Sequence, residues 1–276
     1  MPTLPEKRKG VKKRMVKVRI VGMVLMVCGV VSCGRGVAQD EDWEVMPEAA
    51  VRLCEVKMPE DEAQVLLVRK AYVASYNKEK KVPNWVGWLL TASHTEGPYK
   101  RNVFFHEDEE VDAPRATLTD YRGSGWSRGH ICPAGDNKWD EQAMFESFAL
   151  TNVCPQNANL NQGAWNSIEM KCRMWARKFG EIYVVSGPLY YRGDHETIGE
   201  NKVAVPEAFF KVVLSMEGEP KAMGVVVKNT DGNSVRDVRY HSVDEVERIT
   251  GYDFFSALED EVEERVEARY DEWLWR

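Results

Sequence analysis

This 276-residue chain has no apolar run long enough to span a membrane. The apolar stretch from Ile20 to Val31 falls short of the ~20 residues a spanning helix needs, which argues against an integral membrane protein. Positive charge is also in deficit, with 37 Lys and Arg against 44 Asp and Glu. Residues 1–32 hold eight basic residues and one acidic one; without them the balance is 29 against 43, net −14. A surface of that sign does not coat nucleic acid by bulk attraction, so any phosphate-binding patch must be local. One candidate patch runs from Arg69 to Arg101, where Arg69, Lys70, Lys78, Lys80, Lys81, Lys100 and Arg101 outnumber Glu79 and Glu96, although a solvated face is the blander reading for most of these lysines. Internal repeats and low-complexity tracts are absent, which excludes solenoid and compositionally biased classes. Closely spaced cysteine pairs are missing as well. A zinc site from His130, Cys132, Cys154 and Cys172 would therefore lack the usual ligand pairing.

What is present is a large core and a processed-looking start. A hydrophobic content of 43%, with nine Trp, can fill one domain of about 200–250 residues. Eight basic residues from Lys7 to Arg19 precede the apolar run, the pattern of a secretory signal. Val30, Val31, Ser32 and Cys33 resemble a lipobox, whereas Gly36, Val37 and Ala38 suit ordinary cleavage. The expected organisation is a signal over residues 1–38, an acidic linker over 39–62 and a catalytic domain over 63–276. The expected location is exported: periplasmic, outer-membrane lipoprotein or extracellular, with membrane contact only through a lipid on Cys33. Cys54, Cys132, Cys154 and Cys172 would then form two disulfides, with three possible connectivities.

Periodicity sketches the elements. Helical apolar spacing is read over Ala63–Tyr72, Val243–Ile249 and Glu259–Trp273, and strands over Trp85–Thr91, Ile182–Ser186, Phe209–Met216 and Ala222–Val227. Gly187 and Pro188 read as a sharp strand stop. Ile168, Cys172, Trp175 and Phe179 recur at helical intervals, and Gly180 follows as a C-terminal cap, predicting a helix from about Gly163 to Phe179.

The most informative stretch is Ser127 to Glu169. It holds Ser127, Arg128, Gly129 and His130, then Thr151, Asn152, Pro155 and Gln156, then Asn161, Gly163, Trp165 and Glu169. These two ordered motifs resemble the DNA/RNA non-specific endonuclease family, whose signature is a D-R-G-H box followed by an N-x-G-x-W helix ending in Glu. The leading Asp is Ser127 here, and Phe148 stands where the family usually has a further Asn. Other landmarks extend the resemblance over roughly residues 63–275: Trp85 to Thr91, Arg101, Phe105, Asp108, Val185 to Pro188, Lys211, Glu247 and Asp253. It implies an α+β fold, a mixed domain with a central antiparallel sheet and a ββα-metal (His-Me finger) motif. It also implies a metal-dependent endonuclease acting on DNA and RNA through the phosphate backbone, without base-specific readout.

Phosphodiester hydrolysis needs a base for water, a cation for the developing charge and donors that hold the phosphate in line. His130 fits the base, because a neutral imidazole titrates near physiological pH. The resemblance makes Asn161 the metal ligand, suited to a hard cation such as Mg2+, with Mn2+ or Ca2+ as alternatives; Asn161 also reads as a helix N-cap. Glu169 lies eight residues on, about 80° around and ~12 Å along an ideal helix, so a water-mediated role fits it better than a shared bare ion. Asn152 orients this network, while Arg128 and Arg101 are phosphate clamps. The competing expectation is a catalytically impaired, surface-tethered nucleic-acid-binding protein of nuclease ancestry, which the Ser127 departure raises.

Overall fold

β-Branched and aromatic runs form the centre of the molecule. The computed structural model describes residues 45–276, apart from 61, 102 and 103. Its strands are β1 Val65–Val68, β2 Val73–Asn77, β3 Val82–Thr91, β4 Ser127–His130, β5 Val153–Gln156, β6 Glu181–Leu189, β7 Thr197–Ile198, β8 Val203–Ala204, β9 Ala208–Ser215, β10 Lys221–Lys228 and β11 Tyr240–His241. Seven of them join one sheet in the order β1-β2-β3-β6-β9-β10-β11, every neighbouring pair antiparallel. β2, β3 and β9 are buried at almost every position, so the sheet is covered on both faces.

The helices are α1 Glu48–Cys54, α2 Leu118–Tyr121, α3 Glu141–Ser147, α4 Ala158–Leu160, α5 Asn166–Phe179, α6 Val243–Thr250 and α7 Asp260–Glu267. Two glycines let helices settle on one face of the sheet. A Cβ at Gly87 would lie 2.6 Å from the Cβ of Cys54 in α1, and one at Gly224 would lie 2.3 Å from Val246 in α6. Successive strand residues alternate between faces, so Trp88 points away from α1. On that opposite face α5 packs over β3 and β6, and β4 pairs with β5 as a separate two-stranded ribbon. The mixed α+β class and the β4–β5–helix arrangement match the expected fold.

Several expectations need correction. Residues 65–68 form an edge strand and not a helix: they pair with β2 from Val65↔Tyr76 to Val68↔Val73, and only Leu67 is buried among them. Cross-strand hydrogen bonding there outweighs the helical spacing. The fold also starts before residue 63, because Met46, Ala50, Cys54 and Val56 are buried in the core; the described part of the acidic stretch is built into the domain. Gly187 and Pro188 do not stop β6, which runs to Leu189. Pro188 is tolerated because the β3 partnership ends at Ser186, leaving only the β9 side paired. The last helix ends at Glu267, and a short 3-10 turn follows at Glu272–Trp275.

All four described cysteines are buried free thiols, so the two expected disulfides are absent among the described residues. Each fills the core as a small apolar group, and burial raises every one of their pKa values, that of Cys172 to about 12. The structure does not assemble the zinc set either: among the described residues, the metal-capable grouping is Asp244, Glu247 and Glu267. The signal and lipid-acceptor expectations, Cys33 included, lie outside the described residues.

Candidate active site

The ribbon of β4 and β5 and the helical segment that follows it build one cleft. Its volume is about 480 Å³, and Arg101, His130, Lys138, Asn161, Glu169 and Arg173 are among its lining residues. Residues 127–130 pair antiparallel with 153–156, which carries His130 to the end of the ribbon. Gly129 is required there, since a Cβ would lie 2.2 Å from the Gln156 side chain.

Past His130 the backbone is held by Asn152. This fully buried side chain accepts from the Cys132 N–H at 2.9 Å and donates to the carbonyls of Cys132 and Ser147 at 2.9 and 2.8 Å. It does not line the cleft. These bonds fix the loop that follows His130.

His130 is only 8% exposed, and its Nε2 has no hydrogen-bond partner. Its ring lies between Phe105 and Phe148, both at 4.8 Å. Each of those rings carries a guanidinium: Arg128 stands 4.6 Å from Phe105, and Arg101 5.7 Å from Phe148. Burial first, then the charges of Arg101 and Arg128, push the His130 pKa down to about 3. The imidazole is therefore neutral at ordinary pH, and its buried Nε2 is left unpaired among the described residues. Phe148, in place of the family amide, supplies a wall of this cage and not a hydrogen bond.

Asn161 opens a π-helical turn, Asn161–Trp165, between α4 and α5, with Gly163 in a non-helical conformation. Such turns recur at functional sites because they re-aim side chains. The N-cap of this helix is Asn157, which accepts from the N–H groups of Asn159 and Leu160, so the expected capping role of Asn161 is corrected. The Asn161 amide makes no hydrogen bond to a described residue and is left for the cleft. Because of the π turn, ideal helix phase does not hold between Asn161 and Glu169, and both line the same cavity. Burial raises the Glu169 carboxyl to about 7, opposed by Lys211, with Asp136 adding to the rise and Arg173 and Arg101 opposing it.

Three participants escaped sequence reading. Arg173 binds Asp136 at 2.7 Å beneath the cleft, and Trp88 donates to the other oxygen of Asp136 at 3.1 Å. Arg173 sits four residues after Glu169, a same-face spacing that could have signalled it. Lys211, a landmark without an assigned role, is 1% exposed; its ammonium lies 4.7 Å from Trp88 and 4.8 Å from Trp165, with no hydrogen-bond partner. The Ser127 hydroxyl makes no hydrogen bond to a described residue. The expected basic patch from Arg69 to Arg101 is largely neutralised over its first part: Arg69 pairs with Asp108 and Glu110, Lys70 with Asp140, Lys78 with Asp112 and Lys80 with Glu62. Among the described residues Arg101 and Arg128 carry no ion pair, and of the two Arg101 lines the cleft.

A sequence profile of the DNA/RNA non-specific endonucleases matches residues 50–261. The chain belongs to that family. It is 38% identical over 206 residues to the mitochondrial nuclease EXOG of Homo sapiens, covering 68% of this chain and 56% of that protein. Endonuclease G, mitochondrial, of Bos taurus is 40% identical over 157 residues, covering 53% and 52%. A nuclease of Nostoc sp. is 32% identical over 219 residues, covering 75% and 78%. The chain thus spans between half and 60% of the length of the mitochondrial relatives. Among solved structures, the EndoG/EndoGI complex, described as a mechanism of EndoG inhibition, superposes with a TM-score of 0.66 at 30% identity, covering 71% of this chain and 88% of that one.

The family is one of divalent-metal-dependent nucleases that bind DNA and RNA. The expectation of export is corrected here. The EXOG and endonuclease G relatives are mitochondrial, which runs against the periplasmic, outer-membrane or extracellular location expected from the sequence.

Proposed function

We propose that this protein is a metal-dependent endonuclease that hydrolyses phosphodiester bonds of both DNA and RNA. One observation carries the reading: a neutral His130, its Nε2 without a hydrogen-bond partner, shares a cleft with the unbonded amide of Asn161 and the half-buried carboxyl of Glu169. One amide oxygen and one carboxylate are a sparse, oxygen-only donor set, which fits a hard cation that keeps most of its water, Mg2+ first and Mn2+ or Ca2+ as substitutes. Asn161 would hold that cation and Glu169 would steady its water shell. When bound, it neutralises charge on the phosphoryl group.

The rest of the chemistry falls to side chains. His130 takes the proton of the attacking water, with its loop pinned by Asn152. Arg101 and Arg128 hold phosphate oxygens through their guanidinium forks. These groups meet the backbone and not base edges, so sequence preference is weak.

The purified full-length chain is expected to nick supercoiled plasmid and to cut RNA internally with Mg2+, to leave 5′-phosphate ends and to stop on chelation. Failure to nick across Mg2+, Mn2+ and Ca2+ would overturn the assignment, and retained DNA binding in that case would indicate a binding protein.

A further inference from the structure

Far along the chain from the cleft residues, the two helices α6 and α7 bring three carboxylates together. Asp244, Glu247 and Glu267 each offer an oxygen, and these oxygens all lie within 4.8 Å of one another. Two oxygens bound to one Ca2+ at about 2.4 Å cannot be more than about 4.8 Å apart, so the spacing suits a shared ion.

The burial of Glu267 separates this group from an ordinary acidic surface. Glu267 is 5% exposed, and its Oε1 is inaccessible to solvent and has no hydrogen-bond partner. A buried carboxylate left without a donor is costly. Its position adds to the cost, because it is the last residue of α7, where the helix dipole is negative. Among the described residues no lysine or arginine forms an ion pair with any of the three. The neighbouring charges do not help: Glu263 and Asp253 add negative charge, and Lys57 is taken by Asp253 at 2.9 Å. Burial and these acids push the Glu267 carboxyl up to about 9 and raise that of Glu247. Glu247 is already fixed in place by the Phe254 N–H at 2.8 Å, which leaves lone pairs free on its carboxylate.

We infer that Asp244, Glu247 and Glu267 form a second divalent-cation site, of Ca2+ type, that ties α6 to α7. The donors are carboxylates only, one exposed, one half-buried and one buried, so water completes the shell from the open side. A flexible, carboxylate-rich shell of this kind favours Ca2+ over Mg2+, which demands tighter octahedral geometry. Asp244 and Glu247 lie inside the family-matched segment, which ends at 261, and Glu267 lies beyond it. Its function is structural: α6 and α7 both pack on β10, and the ion would lock that layer to the sheet.

The test uses the full-length chain stripped with chelator, with Asn161→Ala as background so that a cation in the cleft does not contribute. Titration calorimetry and thermal unfolding with CaCl2 are expected to show one site per chain, with a Kd on the order of 0.1–1 mM and a rise in Tm on saturation. Glu267→Gln and the exposed Asp244→Asn should each weaken Ca2+ binding about tenfold or more. Asp244→Asn removes a charge from the cluster, and Glu267→Gln replaces a carboxyl that its raised pKa of about 9 already keeps protonated in the apo form, so neither apo Tm should fall, which separates loss of the site from loss of the fold. No saturable binding in the background variant, or binding untouched by both substitutions, would overturn the proposal. So would a cluster insensitive to Ca2+ whose stability simply rises as pH falls through 9, since a shared proton would then do the work. The result is independent of nuclease activity, which has its own assay.

Discussion

Asn152→Ala is the sharpest test of how the cleft is held. The substitution deletes three buried hydrogen bonds at once and strands the Cys132 N–H, the Cys132 carbonyl and the Ser147 carbonyl without replacing solvent. A buried group left unsatisfied costs about 1–3 kcal/mol, carbonyls less than N–H groups, so the total loss is about 3–5 kcal/mol. For a domain of this size each kcal/mol lowers Tm by about 2–4 °C, giving a fall of roughly 6–20 °C. Catalysis should suffer too, because the loop after His130 loosens, and misplacing a reacting group by about 1 Å costs on the order of 100-fold. Calorimetry and plasmid nicking on the same preparation check both effects. Asn152→Asp keeps the acceptor for Cys132 but sets negative charge against two carbonyls, so it should be no better than Ala. A variant with wild-type Tm would refute the hydrogen-bond reasoning, and a variant that is inactive but fully stable would give Asn152 a direct chemical role.

His130→Ala should lower turnover about 100-fold or more while nucleic-acid binding in a gel-shift assay persists. It should also change the acid side of the stability profile: the unfolded histidine protonates near its usual ~6.5, the folded one resists to about 3, and the wild type therefore loses stability as pH falls below 6.5. In urea melts, its difference from His130→Ala should shift against the wild type by about 2–3 kcal/mol between pH 7 and pH 4.5; an unchanged difference would show that the ring is not held neutral. Asn161→Ala should lower activity at 1 mM Mg2+ and recover part of it at about 50 mM, as read from initial rates; equal loss at all concentrations would remove Asn161 from the metal. Lys211→Met should keep the fold, because its neighbours are indoles, yet reduce kcat and shift the alkaline-rising limb of the rate profile upward, since the charge that opposes the raised Glu169 pKa is gone.

The site was legible in the sequence to the extent that it rests on side-chain identity, and illegible where it rests on backbone path. His130, Asn161 and Glu169 could be nominated from residue type and order, and the cleft does gather them. Helix phase placed Asn161 and Glu169 apart because nothing in NQGAW announces a π turn; Gly163 was the one available hint. The paired strands β3, β6, β9 and β10 showed through as β-branched runs. β1 did not, because a four-residue edge strand carries too few residues to distinguish period 2 from period 3.6. The cysteines misled for a different reason: an even count fits a disulfide framework, but burial as isolated thiols is equally compatible with it, and only packing decides.

The charge distribution explains how an acidic protein can handle a polyanion. Along β1 to β3 the basic residues are spent on specific acids, Arg69 on Asp108 and Lys70 on Asp140 among them. Among the described residues Arg101, Arg128 and Lys138 form no such pairs, and Arg101 and Lys138 line the cleft. Under the proposed function, the substrate phosphate is the counter-ion they lack among the described residues. That has a consequence for His130, whose low pKa is set partly by the charges of Arg101 and Arg128. A phosphate seated between these guanidinium groups cancels the field that opposes protonation and so raises the proton affinity of the imidazole when a water is in place to be deprotonated. Under the proposed roles, the free enzyme holds a weak base that cannot be lost to ordinary protonation, and substrate binding itself strengthens it.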